Sequence, residues 1–236
     1  IADKLDNIVA TFSRGLIPTG SQDPYALRRQ AQGILSTLLA APYGFSLRDM
    51  VQYALEQLNL TDAKVQEKLQ QDVAEFFRLR LKNLLLEQNV RYDVVDAILE
   101  GDTDVLYESW LKAQALTAAE GDSLKKAVQA LTRASNLVKH ATRDEIKETS
   151  FVADEEKTLY AAYQKAAARI AASSQQRDYA QVLAELTTLA DPIHAFFEAV
   201  MVMDPDEEVK TNRLALLKQI VSLASGIGDL GKVIVA

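Results

Sequence analysis

Apolar side chains recur at three- and four-residue intervals along most of this chain, the spacing that lines one face of an α-helix. The longest run puts Val65, Leu69, Val73, Phe76, Phe77, Leu81, Leu84 and Leu85 on one stripe. It predicts a helix over 63–88, capped by Thr61 or Asp62. Asp23 before Pro24 reads as an N-cap with proline at the first helical position, and predicts a helix to about residue 40. Ser46, with Asp49 three residues on, predicts another over 46–58. Shorter stretches predict helices over 94–99, closed by Gly101, and over 104–116. Gly121-Asp122 is a turn signal and a candidate boundary; beyond it helices are predicted over 123–141, 154–173, 178–190, 192–202 and 205–225. The last opens on Asp204-Pro205 with Glu207 and Glu208 in its first turn, where the helix dipole favours acids. Every long segment reads as a helix, so the expected fold class is all-α, a multi-helix bundle.

Composition agrees and narrows the picture. Glycine and proline number nine and five, too few for a turn-rich β protein, and 236 residues at 48% hydrophobic have material for one large core or two smaller ones. No run approaches the roughly 18 apolar residues of a membrane span, so no membrane partner is expected. The absence of cysteine excludes disulfides and thiolate zinc sites and fits a reducing, cytoplasmic setting. His140 and His194 stand far apart, which argues against a histidine metal site or proton relay. The chain opens on Ile1-Ala2-Asp3 without Met or a basic leader, and is expected to be a piece of a longer protein.

A net charge of −7 argues at first against nucleic acid, since a polyanion is normally met by a basic footprint. The distribution changes that. From Ser123 to Arg143 there is no Asp or Glu. Projected as a helix, Lys125, Lys126, Arg133, Asn136, Lys139, His140 and Arg143 fall within an arc of roughly 140°, opposite Leu124, Ala127, Val128, Leu131, Ala134 and Val138. Such a helix can pack with one side and offer the other to phosphates and base edges; a solvated face near acids from elsewhere gives the same pattern. Arg28, Arg29 and Arg48 form a second acid-free basic stretch, and Arg78, Arg80 and Lys82 a third. Segregated cations on a net-negative chain suit a binder of folded RNA.

Other patterns lead nowhere catalytic. Gly226 to Lys232 has the spacing of a phosphate-binding P-loop, but Val233 replaces the Mg²⁺-binding hydroxyl and no strand precedes it, so a helix C-cap is the better reading. Asp204, Asp206, Glu207 and Glu208 resemble the start of a calcium loop, yet its sixth and twelfth positions are Val209 and Ala215; helix capping explains the acids. No nucleophile–base arrangement and no set-apart carboxylate pair stand out.

Four blocks resemble the β subunit of bacterial glycyl-tRNA synthetase, in family order and across nearly the whole chain. They are LIPTGSQDPYALRRQ (16–30), DVAEFFRLRLKNLLLEQNVRYDVVDAILEG (72–101), ALTRASNLVK (130–139) and FFEAVMVMDPDEEVKTNRLALL (196–217). The last also resembles the DALR-type anticodon-binding domain of arginyl-tRNA synthetase. His194, where the family usually has Asp, and Gly228 and Gly231 depart from the pattern. The opening IADKLDNIVATF is similar to the final helix of an HD-type domain, in which Asp3 would complete a metal site; its His and His-Asp partners are absent, so Asp3 is expected to face solvent and no metal site is expected.

The resemblance implies the end of an HD-like domain over 1–22, a helical body over 23–120 and a DALR-like anticodon-binding bundle over 121–236. It implies glycine tRNA and the synthetase α subunit as partners, in an assembly of two α and two β subunits, with no DNA. ATP and Mg²⁺ would serve the whole synthetase, and no cofactor this part. Arg133, Asn136, Lys139 and Arg143 are expected on phosphates or unstacked bases, with Lys125 and Lys126 beside them. Arg28, Arg29, Arg78, Arg80 and Lys82 are expected on RNA backbone, and Arg213 within the bundle. The alternatives are a helical subunit-docking module with incidental RNA binding, and an HD-type phosphohydrolase.

Overall fold

The computed structural model describes residues 1–40, 42–58, 60–119 and 121–235. Among these residues there are eleven α-helices, and the β pairing is confined to an isolated bridge between Thr19 and Gln22. The all-α class follows the periodicity. By internal contacts the chain divides into two compact units, Ile1–Arg91 with Asp102–Leu111, and Tyr92–Gly101 with Lys112–Ala236. This division departs from the expected cuts after 22 and 120. The opening helix α1 (Ala2–Phe12) buries Leu5, Ile8, Val9 and Phe12 inside the first unit, and the middle cut falls within α6 (Leu106–Ala118).

In the first unit α1 packs on α2 (Leu27–Leu39), α3 (Leu47–Gln57) and α4 (Ala63–Glu87). Phe12 meets Phe76 edge to face at 5.1 Å between centroids, a favoured aromatic geometry. Ser46 and Asp62 cap α3 and α4 as their sequences predict, accepting from Asp49 N and from Lys64 N and Val65 N. Two expectations fail locally. Val65, on the first turn of α4, is exposed. The helix after Pro24 begins only at Leu27, since Ala26 takes a left-handed conformation (φ 53°) that no helix continues through. Asp23 still serves the helix end, accepting from Leu27 N at 2.8 Å and Arg28 N at 3.0 Å. Asp3 is solvent-facing, as expected.

The second unit holds α5 (Tyr92–Leu99), α7 (Asp122–Val138), α8 (Asp154–Gln175), α9 (Tyr179–Thr187), α10 (Ala190–Ala199) and α11 (Glu207–Ser225). Both α7 and α8 pack against α9, α10 and α11, around Leu131, Leu159, Ile193, Phe196, Leu214 and Leu217. A charged network runs through this core. Arg213 Nε donates to the fully buried Glu156 at 2.5 Å, and its Nη1 donates to Asp204 at 2.7 Å and to Met201 O at 3.0 Å. The other Glu156 oxygen accepts from Val152 N and Ala153 N at the start of α8. Arg213 therefore pairs within the bundle, as expected.

Asp206 caps α11 by accepting from Glu208 N and Val209 N, so the acids here start a helix. The chain then returns to α5: Asp229 N donates to Ala97 O at 2.9 Å. Gly228 makes that approach possible. Its φ is +152°, and a Cβ there would lie 2.5 Å from Ala97 O. Lys232, the P-loop lysine by spacing, pairs with Glu100 at 2.7 Å and lies in a 3₁₀ turn, not at a phosphate cradle.

Candidate nucleic-acid interface

Helix α7 owes its place to its apolar stripe. Leu124, Ala127, Val128, Leu131 and Ala134 are buried, which turns Lys126, Gln129, Arg133, Ser135 and Asn136 to solvent and leaves Lys125 half-buried. Its single acid, Asp122, sits in the first turn, where the dipole favours it. The side chains of Lys125, Lys126, Asn136 and Lys139 have no hydrogen bond or ion pair among the described residues. Arg133 is exposed, and its guanidinium carbon stands 4.2 Å above the ring centroid of Phe197 on α10, a cation–π contact that fixes its position.

The projected arc does not extend to Arg143. The helix stops at Val138, Lys139 and His140 lie in the following turn, and the chain then runs along α11. Arg143 grips Glu208 with both terminal nitrogens, at 3.0 and 2.9 Å, and also donates to Asn212 and to Glu145 O. Arg143 thus lies off the projected arc, with a bidentate carboxylate in its fork. Glu208 also accepts from Ser150 and stands 3.4 Å from Lys147. These contacts, the Arg143 hydrogen bond foremost, hold its carboxyl down at about 2 against an ordinary 4.5. Asn212, fully buried, donates to Lys147 O at 3.0 Å and accepts from Lys147 N at 2.7 Å.

Two of the open clefts along α7 involve its cations and amides. One, of about 360 Å³ against α10, is lined by Lys126, Gln129, Arg133, Asp191, His194 and Phe197 among others. The other, of about 420 Å³ toward the end of α11, includes Thr132, Ser135 and Asn136. In that second cleft Lys232 and Asp229 are already engaged, by Glu100 and by Gly231 N.

The expected cations of the first unit are mostly committed nearby. Arg28 is half-buried and donates to Gly20 O at 2.6 Å. Arg80 lies over the Phe76 ring at 3.8 Å and donates to Phe76 O; burial, then neighbouring Arg28, lowers its pKa from the usual arginine value. Arg78 is 3.7 Å from Glu75. Lys82 is half-buried, and Arg29 is exposed.

Comparison with known proteins bears on both units. Residues 1–100 match the family model described as glycyl-tRNA synthetase beta subunit, and residues 127–231 match the DALR anticodon binding domain. The glycine–tRNA ligase beta subunit of Desulforamulus reducens is 40% identical over 239 residues, covering 100% of this chain and 34% of that protein. Those of Clostridioides difficile and Bacillus subtilis are 38% and 39% identical, over 99% and 96% of this chain. The chain is thus similar along its whole length to glycine–tRNA ligase beta subunits. It spans about a third of the length of the curated relatives it matches.

Within the matched regions, the blocks that carry the likeness are largely scaffold. Phe196, Asn212 and Arg213 are buried, and Asp206 caps a helix. The DALR match takes in Arg133, Asn136, Lys139 and Arg143, while Lys125 and Lys126 stand just before it. Sequence reasoning missed Phe197 beneath Arg133 and the Glu208–Asn212 clamp, both of which join residues far apart in the chain. The doubled Phe and the Asn-Arg pair were visible signals, but of family rather than role.

Proposed function

We propose that this chain is the tRNA-holding part of a glycine–tRNA ligase β subunit, and that the outer face of α7 meets the RNA. The carrying observation is that Lys125, Lys126, Arg133, Asn136 and Lys139 lie along one surface-facing helix and the turn after it, without carboxylate partners among the described residues. Lysines supply phosphate affinity, and Asn136 can reach a base edge. Arg29 and its half-buried neighbours Arg28, Arg78, Arg80 and Lys82 give the first unit a weaker backbone contact. On this reading glycine is attached to its tRNA elsewhere in the assembly, with ATP, Mg²⁺ and the synthetase α subunit, in the cytoplasm.

The test is filter binding of glycine tRNA and an anticodon variant over a range of salt. Lys126→Glu with Lys139→Glu should weaken binding and flatten the log–log salt slope by roughly 0.7–0.9 per lost phosphate contact. Unchanged affinity and slope at moderate salt would defeat the proposal. A docking role has one observation in its favour: Val152, Met201 and Met203 are exposed large apolar side chains on segments tied to the Glu156–Arg213 pair. Polar replacement of these three, leaving RNA affinity intact and abolishing subunit association, is the outcome that reading requires.

A further inference from the structure

The cleft between α7 and α10 has more structure than a phosphate site needs. Phosphate contact asks only for mobile positive charge, which Lys126 supplies at one end. Arg133 differs. Its planar guanidinium is held over Phe197, a core residue only 9% exposed that is itself packed edge-on against Phe196 at 5.6 Å. The Arg133 guanidinium has no hydrogen bond or ion pair among the described residues, although Asp191 lines the same cleft. A flat cation fixed from beneath by an aromatic ring and exposed above is a stacking surface, of the kind on which unstacked RNA bases settle. The floor therefore recognises a ring and the rim can recognise an edge. Gln129 offers an amide, and Asp191 an acceptor with no partner among the described residues. A carboxylate there accepts from the exocyclic amine of cytosine, adenine or guanine, and uracil has none to give. The volume of about 360 Å³ lies at the small end of the roughly 300–1,000 Å³ typical of small-ligand sites.

We propose that this cleft holds a single unstacked RNA base, stacked on the Arg133 guanidinium that Phe197 positions, with Asp191 selecting bases that carry an exocyclic amine. The proposal rests on α7 being the RNA-facing helix, and refines what Arg133 does there.

The experiment compares hairpin RNAs of one stem with loops of cytidines or of uridines, and a third with one 2-aminopurine in the loop. The native chain should favour the cytidine loop by about tenfold, the scale of one stacked and edge-read base, and should quench 2-aminopurine. Arg133→Lys, at a surface position that leaves the fold intact, keeps the charge and the salt slope but should lose both the quench and most of the preference. Phe197→Leu, its fold checked by thermal melting, should move both readouts the same way, and Asp191→Asn should lose the preference while keeping the quench. If Arg133→Lys quenches and discriminates like the native chain, the stacking proposal is overturned while backbone binding stands. Should the native chain bind none of these hairpins at low salt, the RNA reading of α7 and this refinement both fall.

Discussion

Replacing Arg213 with methionine isolates the buried charge network at the centre of the second unit. Methionine is close in length, so packing is largely kept, while three hydrogen bonds are lost, to Glu156, Asp204 and Met201 O. Asp204 loses little, being partly solvated and still accepting from Asp206 N. Glu156 is fully buried and is left charged without its counter-ion. Removing one partner of such a pair costs about 3–5 kcal/mol. Two backbone N–H groups, of Val152 and Ala153, still donate to Glu156, which places the cost near the lower end of that range. At about 3 °C per kcal/mol for a unit of this size, melting of the second unit should fall by roughly 9 °C. Urea unfolding followed by circular dichroism should show the midpoint displaced at constant slope. Adding Glu156→Gln removes the stranded charge while keeping an acceptor for the two N–H groups, so the double variant should be more stable than Arg213→Met alone. A single-variant loss below about 1 kcal/mol, or a double variant worse than the single, would refute the view that an uncompensated carboxylate carries the cost.

Glu208 offers a test in acid. Its folded pKa of about 2 lies below the ordinary 4.5, so its contribution is complete above about 4.5 and drains away as pH falls toward 2. Glu208→Gln should flatten stability across that window, and an NMR titration that finds the Glu208 carboxyl at its ordinary value would contradict the clamp. Gly228→Ala meets both a positive φ and a contact of 2.5 Å with Ala97 O, and should destabilise by about 1–3 kcal/mol. A melting temperature equal to that of the native chain would show that the return of the chain to α5 is looser than described.

What could be read from the chain beforehand was local. Ser46, Asp62 and Asp206 each cap the helix that follows, because a cap and its N–H partners lie within a few residues. The apolar stripe of α7 was equally legible, since burial of Leu124, Ala127 and Leu131 is set by helical spacing. The failures came where something non-local or conformational decided. Ala26 adopts a backbone state that its identity does not announce, and it delays a helix by three residues. Arg143 fits the cationic arc only if α7 continues; its end at Val138 and the waiting carboxylate of Glu208 send the side chain elsewhere. Arg133 belonged on the outer face, as projected, but its ring partner arrives from α10, which no periodicity within α7 encodes.

Asn212 behaves toward Lys147 as a neighbouring peptide would, giving one hydrogen to the carbonyl and taking one from the amide of the same extended residue (φ −109°, ψ 108°). In extended chain, successive residues turn these groups to opposite sides. The crossing from α7 to α8 is therefore indexed to a single residue, Lys147: slipping it by one residue would turn the waiting N–H and C=O away from Asn212. Aspartate at 212 could only accept, and would lose that frame of reference while occupying nearly the same space.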